Sequence, residues 1–132
     1  MNISDYPLLI KIWKNTPGLG LSSSDDKNKI RLFLNKNRKT CFVAFENNKI
    51  IGTVLCGNDG RRGYIYHLVV KDEYRNKGIA TKLVDYCLKG LRKNKIDKCH
   101  LFVYKTNIEA IDYYIRKKWL QRDELIIFSK DL

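Results

Sequence analysis

The sequence predicts an α+β fold in which helices pack on one mixed sheet. Between residues 40 and 56 the apolar residues follow the period of two that is typical of strands, and residues 64–70 form an almost wholly apolar strand. From Ile79 they follow the period of a helix, and a further strand pattern comes after it. Strand, helix and strand in succession imply a parallel crossover, whereas the earlier strands form antiparallel hairpins. A chain of 132 residues has room for one ordinary core, so a single domain over residues 1–132 is expected.

Two short helices are expected before the first strand. The first spans Tyr6–Lys14. A loop rich in Pro, Gly and Ser follows at residues 16–24, and Ser24 or Asp25 then serves as the N-cap of the second helix.

Three antiparallel strands are expected next. Residues 41–46 and 49–56 form a hairpin around an Asn-Asn turn. A turn with three glycines occupies residues 57–63, and residues 64–70 are almost wholly apolar, as in a strand that is buried on both faces.

The second half of the chain begins with a helix whose apolar face runs from residue 79 to residue 91. After it we expect a strand at residues 99–103, a helix at 107–117 with Thr106 and Glu109 spaced as a capping box, and a last strand at 125–128.

The net charge of +12 fits a nucleic-acid surface, an anionic cofactor or a generally lysine-rich surface. The 18 lysines outnumber the 8 arginines and are spread along the chain. The densest basic stretch, residues 89–98, contains no interleaved aromatic residues that would stack on bases. Nucleic-acid binding is therefore the less favoured interpretation, and no nucleic-acid partner is expected.

The four cysteines, Cys41, Cys56, Cys87 and Cys99, lie singly in apolar segments and have neither Cys-x-x-Cys nor zinc-site spacing. We expect reduced core thiols rather than nucleophiles, and no metal. No apolar run approaches the roughly 20 residues of a membrane span, and the N-terminus lacks the pattern of a signal peptide. A soluble, cytoplasmic protein without a membrane partner is therefore expected.

A phosphate-binding segment is predicted where the segment Arg-Asn-Lys-Gly-Ile-Ala at 75–80 opens the long helix. The first N–H groups of a helix lack internal partners and carry partial positive charge, so they bind a pyrophosphate that can approach closely. Gly78 and Ala80 are small enough to permit this approach, and Arg75 and Lys77 add positive charge. The same residues alone are also compatible with an ordinary turn and a solvated helix end.

The chain resembles the GNAT superfamily of acetyl-CoA-dependent N-acetyltransferases, of the small single-domain bacterial type. Arg-x-x-Gly-x-Ala at 75–80 is similar to its pyrophosphate loop, and Asn-x-x-Ala-x-x-x-Tyr at 107–114, with Trp119, is similar to its second acetyl-CoA motif. The resemblance implies a GNAT-like α/β/α fold: a mostly antiparallel twisted sheet with helices on both faces. The first strand is expected to be truncated, and Lys118 stands where the family has a helix-ending glycine.

The resemblance implies that acetyl-CoA is the cosubstrate and that an amine is the acceptor. The residues implied to bind the cofactor lie at the strand end, in the loop, at the helix start and in the second motif: Leu68, Val69, Val70, Arg75, Asn76, Lys77, Gly78, Ile79, Ala80, Thr81, Asn107 and Ala110.

Acetyl transfer to an amine requires removal of a proton from the amine, stabilisation of an oxyanion and a proton for the leaving thiolate. By the resemblance, the strand before the loop bulges, a backbone N–H at residues 68–70 meets the thioester oxygen, and Tyr114 donates to the sulfur. His67 is the candidate base, directly or through water, and is otherwise a structural strand histidine. His100 is the more readily structural histidine, and Glu46 is a reserve base.

The acceptor is expected to contact the loop at 17–24, the second helix and the turn that carries Asp59, Arg61 and Arg62. The two arginines would hold a carboxylate in bidentate fashion, or they are solvated turn residues. Asp59 would orient an amine, or it serves the turn itself.

The leading hypothesis is an N-acetyltransferase that moves the acetyl group of acetyl-CoA to a primary amine of a small molecule, peptide or protein. The amine attacks directly in a ternary complex. A non-catalytic acyl-CoA-binding module and, less favoured, a basic nucleic-acid binder are the alternatives. A truncated first strand uncovers a sheet edge, so a monomer and a homodimer are both compatible with the sequence.

Overall fold

The computed structural model describes residues 1–132. The chain forms two compact units, Met1–Phe102 and Val103–Leu132. The first unit contains all the strands and three of the four α-helices, and the second contains the last helix. The single domain expected from the chain length stays a prediction. No helix combines the length and the apolar character that a bilayer crossing requires.

The elements in chain order are α1 (Tyr6–Lys14), α2 (Lys27–Lys36), β1 (Phe42–Glu46), β2 (Lys49–Asn58), β3 (Gly63–Val70), α3 (Ile79–Lys93), β4 (Cys99–Leu101) and α4 (Ile108–Arg116). Short 3-10 turns lie at Ile3–Asp5, Ser23–Asp25 and Asp72–Tyr74. No strand precedes α1, in agreement with the truncated start that the sequence predicts.

The strands form one sheet in the order β1-β2-β3-β4. The first two pairings are antiparallel and the β3–β4 pairing is parallel, which confirms the predicted meander and crossover. Between β1 and β2, Asn47 and Asn48 have φ values of 48° and 61°. Two successive residues with positive φ match the twist of a hairpin, and asparagine tolerates that conformation better than most residues.

Helices cover both faces of the sheet. On one face Leu9 and Trp13 of α1 and Leu34 of α2 are buried against sheet residues such as Leu55. Neighbouring residues of a strand point to opposite faces. Thr53 of β2 accepts a hydrogen bond from the Trp13 indole of α1. Gly52, the residue before it, therefore faces the other side of the sheet, where α3 packs. The predicted α+β architecture is confirmed.

α3 packs closely on the start of β3 at Gly63. A Cβ at Gly63 would lie 2.3 Å from Leu91 Cδ1 of α3, so a larger residue would displace the Leu91 side chain. The helix therefore sits directly on the strand backbone, and its N-terminus is brought to the other end of β3.

The strand predicted at residues 125–128 is wrong. These residues form neither helix nor strand, and the aromatic ring of Phe128 is 90% exposed. An apolar run becomes a strand only when a neighbouring edge pairs with it. β4 is also shorter than predicted, because it ends at Leu101 rather than at residue 103.

Two predicted helix caps are wrong for local reasons. α2 is capped by Asp26 rather than by Ser24 or Asp25, because the chain first makes a 3-10 turn. α4 is capped by the side chain of Asn107, one residue later than the predicted Thr106. In both cases a neighbouring Asp or Asn competes for the same role.

α4 ends on a left-handed residue that is not glycine. Lys118 has a φ of 61°; its N–H donates to Ile115 O at 2.9 Å, and the Trp119 N–H donates to Tyr114 O at 3.0 Å. This is the hydrogen-bond pattern of a Schellman cap. Lysine therefore occupies the usual glycine position, at a cost of about 1 kcal/mol.

Candidate active site

The backbone of β3 bulges near its C-terminal end. Thr53 of β2 pairs with Val69, and Leu55 pairs with Tyr66, so residues 67–68 of β3 lie opposite a single residue of β2. The φ of residue 67 is 50°, outside the strand region. Such a bulge re-aims side chains and interrupts the ladder. The bulge that the family resemblance implies is present.

β3 continues beyond the end of its parallel partner. The β3–β4 ladder stops at the pair Ile65–Leu101, whereas β3 extends to Val70. The backbone of residues 66–70 thus has no β4 partner on that side. N–H and C=O groups in this situation can pair with another amide-bearing chain.

A buried hydrogen-bond chain holds the bulge in place. The Trp13 Nε1–H donates to Thr53 Oγ1 at 3.0 Å, and the Thr53 hydroxyl donates to His67 O at 3.0 Å. Trp13 and Thr53 are fully buried, and the Trp13 and His67 rings are 4.7 Å apart. α1 and β2 therefore fix the backbone carbonyl and one ring face of His67.

Asp25 binds the His67 ring. His67 Nε2 and Asp25 Oδ1 are 2.5 Å apart, and both side chains are nearly buried, with 11% and 10% exposure. The second carboxylate oxygen of Asp25 accepts from the Ser22 N–H at 2.9 Å. The Tyr6 hydroxyl donates to the Asp25 carbonyl at 2.9 Å. Hydrogen bonds from Ser22 and from Tyr6 of α1 therefore hold Asp25 in the position in which its carboxylate contacts the imidazole.

The N-cap residue of α3 supplies no side-chain capping hydrogen bond. This residue, Gly78, has a φ of 77°. The first helical hydrogen bond is made by the Lys82 N–H to Gly78 O at 3.1 Å. The N–H groups of Ile79, Ala80 and Thr81 precede that bond and have no partner within the helix. A Cβ at Gly78 would meet no atom within 4 Å, so the approach to these groups is open.

The basic residues of the predicted phosphate loop make local contacts. The Arg75 guanidinium lies 3.1 Å from Asp72 Oδ1, and its Nε–H donates to Val70 O at 3.3 Å. Lys77 Nζ lies 5.3 Å from the centre of the Tyr74 ring, a cation–π contact. Both residues lie within four positions of the start of α3 in sequence.

The second unit carries the second predicted motif. Asn107 caps α4 by accepting the Ala110 N–H at 3.2 Å. The Tyr114 ring packs edge-to-face on Trp119 at 5.5 Å and on Tyr113 at 5.0 Å. Asn107, Ala110 and Tyr114 share one face of α4, as their spacing predicts.

The predicted acceptor residues lie at the opposite end of β3 from Val70. Asp59 Oδ1 accepts the N–H groups of Arg61 at 2.8 Å and Arg62 at 2.7 Å. These two hydrogen bonds, that of Arg62 first, hold the pKa of Asp59 below its usual value. Asp59 therefore closes the turn between β2 and β3, and the structure does not bring these three residues to the bulge.

A cavity of about 410 Å³ adjoins the bulged end of β3. Apolar residues of α1 and β2 and the end of β3 form part of its wall, and basic groups at Lys11, Lys49, Lys71 and Arg75 line it together with Asp72 and Glu73. The space next to Val69 and Val70 is therefore both partly apolar and rich in charge.

The cysteines are core thiols. Cys41, Cys56 and Cys87 are buried, Cys99 is half-buried, and all four are free. Burial raises the pKa of the Cys41 thiol. Hydrogen bonding with Cys87 is the largest cause that raises the pKa of Cys56, and hydrogen bonding with Cys56 is the largest that raises the pKa of Cys99. A thiol that resists ionisation is a poor nucleophile.

Comparison with known proteins identifies the family. Residues 8–118 match the acetyltransferase (GNAT) family. An acetyltransferase from Pectobacterium atrosepticum is 33% identical over 110 residues, which are 83% of this chain and 77% of that protein. This chain belongs to the GNAT family. It is an acyltransferase, and the resemblance seen in its two motifs is confirmed.

Two further relatives of this GNAT chain bear on its fold and chemistry. N-alpha-acetyltransferase 30 from Schizosaccharomyces pombe is 34% identical over 101 residues, 73% of this chain and 67% of that protein. The crystal structure of an acetyltransferase from Clostridium acetobutylicum with acetyl-CoA superposes with a TM-score of 0.73. It is 24% identical and covers 98% of this chain and 92% of its own. The GNAT fold is therefore shared along the whole chain.

The structure brings three predicted features of this GNAT chain together at one end of β3: the bulge, the N-terminus of α3 and His67. It places a fourth residue there, Asp25, which the sequence predicts only as a helix cap and which binds His67 across 42 positions of sequence. The sequence contains one signal for this role of Asp25. Ser22 and Asp25 have the spacing of a capping box, in which the Asp25 carboxylate accepts the Ser22 N–H rather than an N–H group of α2.

Proposed function

We propose that this protein transfers the acetyl group of acetyl-CoA to a primary amine of a small molecule, peptide or protein, by direct attack in a ternary complex. The observation that carries the proposal is the junction of the bulge in β3 with the N-terminus of α3. One short segment thus presents a candidate base, backbone donors and an anion-binding helix end.

The residues of this segment fit acetyl-CoA as the cosubstrate. Coenzyme A carries a pyrophosphate, which suits the N–H groups of Ile79, Ala80 and Thr81 beside Arg75 and Lys77. It also carries an arm with two amides, which suits the backbone of residues 66–70 where β4 has ended. The crystal structure of the Clostridium acetobutylicum relative contains acetyl-CoA, which supports the same cosubstrate here.

The reaction balances with three groups of this chain. The amine nitrogen attacks the thioester carbonyl carbon, and His67 takes the proton that the nitrogen loses, directly or through one water. A backbone N–H at Leu68, Val69 or Val70 stabilises the oxyanion. When the C–S bond breaks, Tyr114 gives its hydroxyl proton to the sulfur, so the products are an amide and free coenzyme A. Tyr114 regains its proton from His67 through solvent.

Direct attack is favoured over an acetyl-enzyme intermediate. Such an intermediate requires an activated nucleophile. The thiols of Cys41, Cys56 and Cys99 have raised pKa values, and Cys87 donates its own hydrogen to Thr40 O from a buried position. The raised pKa values of Cys41, Cys56 and Cys99 disfavour the thiolate that nucleophilic catalysis uses.

The proposed acceptor is a primary amine. The S. pombe relative is named an N-alpha-acetyltransferase, which supports the α-amine of a peptide as one acceptor. Asp59, Arg61 and Arg62 stay predicted acceptor contacts, for a molecule long enough to reach the far end of β3.

The test is a two-step assay of the intact protein. Acetyl-CoA at concentrations well above micromolar should raise the melting temperature, because a ligand that binds only the folded state stabilises it. A panel of small amines and short peptides with free N-termini is then screened for release of free thiol. No melting shift and no thiol release with any amine would refute the proposal.

A further inference from the structure

We infer that Asp25 is a positioning residue for catalysis: it holds His67 in the tautomer that has its hydrogen on Nε2, which makes Nδ1 the atom that accepts the proton of the amine. The catalytic role of Nδ1 rests on the proposed function, whereas the contact between Asp25 and His67 does not depend on it. Nothing in the two sequence motifs or in the family resemblance assigns a role to Asp25.

The contacts of Asp25 determine which ring nitrogen carries the hydrogen. An ionised carboxylate only accepts hydrogen bonds. Its Oδ2 already accepts the Ser22 N–H, and its Oδ1 lies 2.5 Å from His67 Nε2. Nε2 is therefore the donor in this pair, and in the neutral ring the lone pair is on Nδ1.

The surroundings of the ring leave Asp25 as its orienting partner. α1 contributes the Trp13 ring, which is 4.7 Å away, and β2 contributes the Thr53 hydroxyl, which binds the backbone carbonyl of His67 and not its ring. The 3-10 turn contributes Asp25, the charged group in hydrogen-bond contact with the imidazole. A carboxylate behind a catalytic imidazole both fixes the tautomer and stabilises the imidazolium that forms.

The position of Asp25 also links the base to the segment that is expected to meet the acceptor. Asp25 lies between α1 and α2, directly after the predicted acceptor loop at 17–24. The hydrogen bond from the Tyr6 hydroxyl to the Asp25 carbonyl ties this turn to the start of α1. A shift of the loop therefore moves the carboxylate relative to the imidazole.

The decisive variant is Asp25→Asn, with Asp26→Asn as its control. In Asp25→Asn the amide oxygen can keep the Ser22 N–H, so the NH₂ group faces Nε2 and drives the hydrogen to Nδ1. Asp26 is the exposed N-cap of α2 and makes no side-chain capping bond, so its change removes the same charge without touching His67. We expect kcat to fall about 10²-fold in Asp25→Asn, with the KM for acetyl-CoA within about twofold, and neither to change in Asp26→Asn.

The tautomer itself is measured by ¹⁵N NMR of the imidazoles in the intact wild-type protein. His67 is one of two histidines, and the spectrum of His100→Asn assigns its signals. We expect a hydrogen on Nε2 in the wild type and on Nδ1 in Asp25→Asn. Asp25→Glu, which retains a carboxylate, should keep the Nε2 hydrogen and recover part of kcat.

The outcomes separate the two proposals. A wild-type ring with its hydrogen on Nδ1, or with both nitrogens protonated at the neutral to mildly alkaline pH of the assay, would overturn the role of Asp25. An unchanged kcat in a folded Asp25→Asn variant would do the same. If the wild type acetylates no amine, the proposed function fails while the tautomer result stands. The wild-type spectrum decides the tautomer even if Asp25→Asn does not fold.

Discussion

The two ends of β3 differ in how their polar groups are satisfied. At the Gly63 end, the turn closes on itself, because Asp59 accepts the N–H groups of the two residues that follow Gly60. At the Val70 end, the bulge at His67 is held by side chains from α1, β2 and the turn before α2. The polar groups of the turn bond to each other and need no ligand. The bulge is held by side chains of other elements, so backbone N–H groups near it can remain available to a ligand.

This difference favours the bulged end of β3 as the place of the proposed reaction. A histidine lies near each end of β3. His100 of β4 pairs with Tyr64 near the turn, and His67 lies in the bulge. A strand rises about 3.3 Å per residue, so Gly63 and His67 are roughly 13 Å apart. Substitutions at the bulged end should therefore alter turnover, and matched substitutions at the turn should not.

His67→Asn is expected to have the largest effect. Asparagine tolerates the left-handed backbone of residue 67, so the bulge should persist while the base is lost. We expect kcat to fall by about 10²-fold or more, since general base catalysis typically contributes that much, with the affinity for acetyl-CoA retained. His100→Asn is the control at the turn end. Equal losses in the two variants, measured by thiol release, would remove the distinction between the ends.

Tyr114→Phe gives a second measure of the chemical step, from the motif at residues 107–114. Removing the hydroxyl should lower kcat about tenfold or more, because the thiolate then leaves without a proton donor, while the melting shift with acetyl-CoA is retained. Tyr113→Phe is the matched control. Tyr113 is the adjacent residue of α4 and points about 100° away from Tyr114 around the helix, and the centres of the two rings are 5.0 Å apart. A Tyr114→Phe variant with wild-type kcat would argue against its role as the acid.

Gly78→Ala and Gly60→Ala compare the two ends at the same backbone cost. Both glycines have positive φ, 77° and 88°, and at both a Cβ would meet no atom within 4 Å. Each alanine should lower the free energy of unfolding by about 1 kcal/mol. Gly78 directly precedes the N–H groups proposed to bind the pyrophosphate, whereas Gly60 lies in the turn between β2 and β3. We therefore expect the Kd for acetyl-CoA to rise about tenfold in Gly78→Ala and to stay unchanged in Gly60→Ala. Calorimetric titration measures both; equal Kd values would place the pyrophosphate elsewhere.

The double variant Arg61→Ala/Arg62→Ala is expected to have the smallest effect. These side chains lie at the turn, so kcat and KM for a small amine should stay within about twofold of the wild-type values. An acceptor that spans the roughly 13 Å to the bulge and carries a carboxylate there should show a raised KM. Acceptors of increasing length measure this directly, and a raised KM for the smallest amine would show that the turn reaches the reacting group.

Much of the site was predictable because its parts are local. The Arg-x-x-Gly-x-Ala segment lies at the start of α3, and the bounds of α1 match the predicted Tyr6–Lys14. The cap of α2 was not predictable in the same way, because Ser22, Asp25 and Asp26 compete within one short stretch. The last strand failed for a different reason: residues 125–128 have strand-like composition but no edge that pairs with them.

The sequence by itself determined the order of strands and helices from α1 to α4, the turn at Asn47 and Asn48 and the membership of the family. These features depend on periodicity and backbone preferences that act over a few residues. The tertiary structure decided that a carboxylate, that of Asp25, lies against the imidazole of the candidate base His67. Asp25 and His67 are 42 positions apart, and only the packing of α1 and the following turn on β3 brings them into contact.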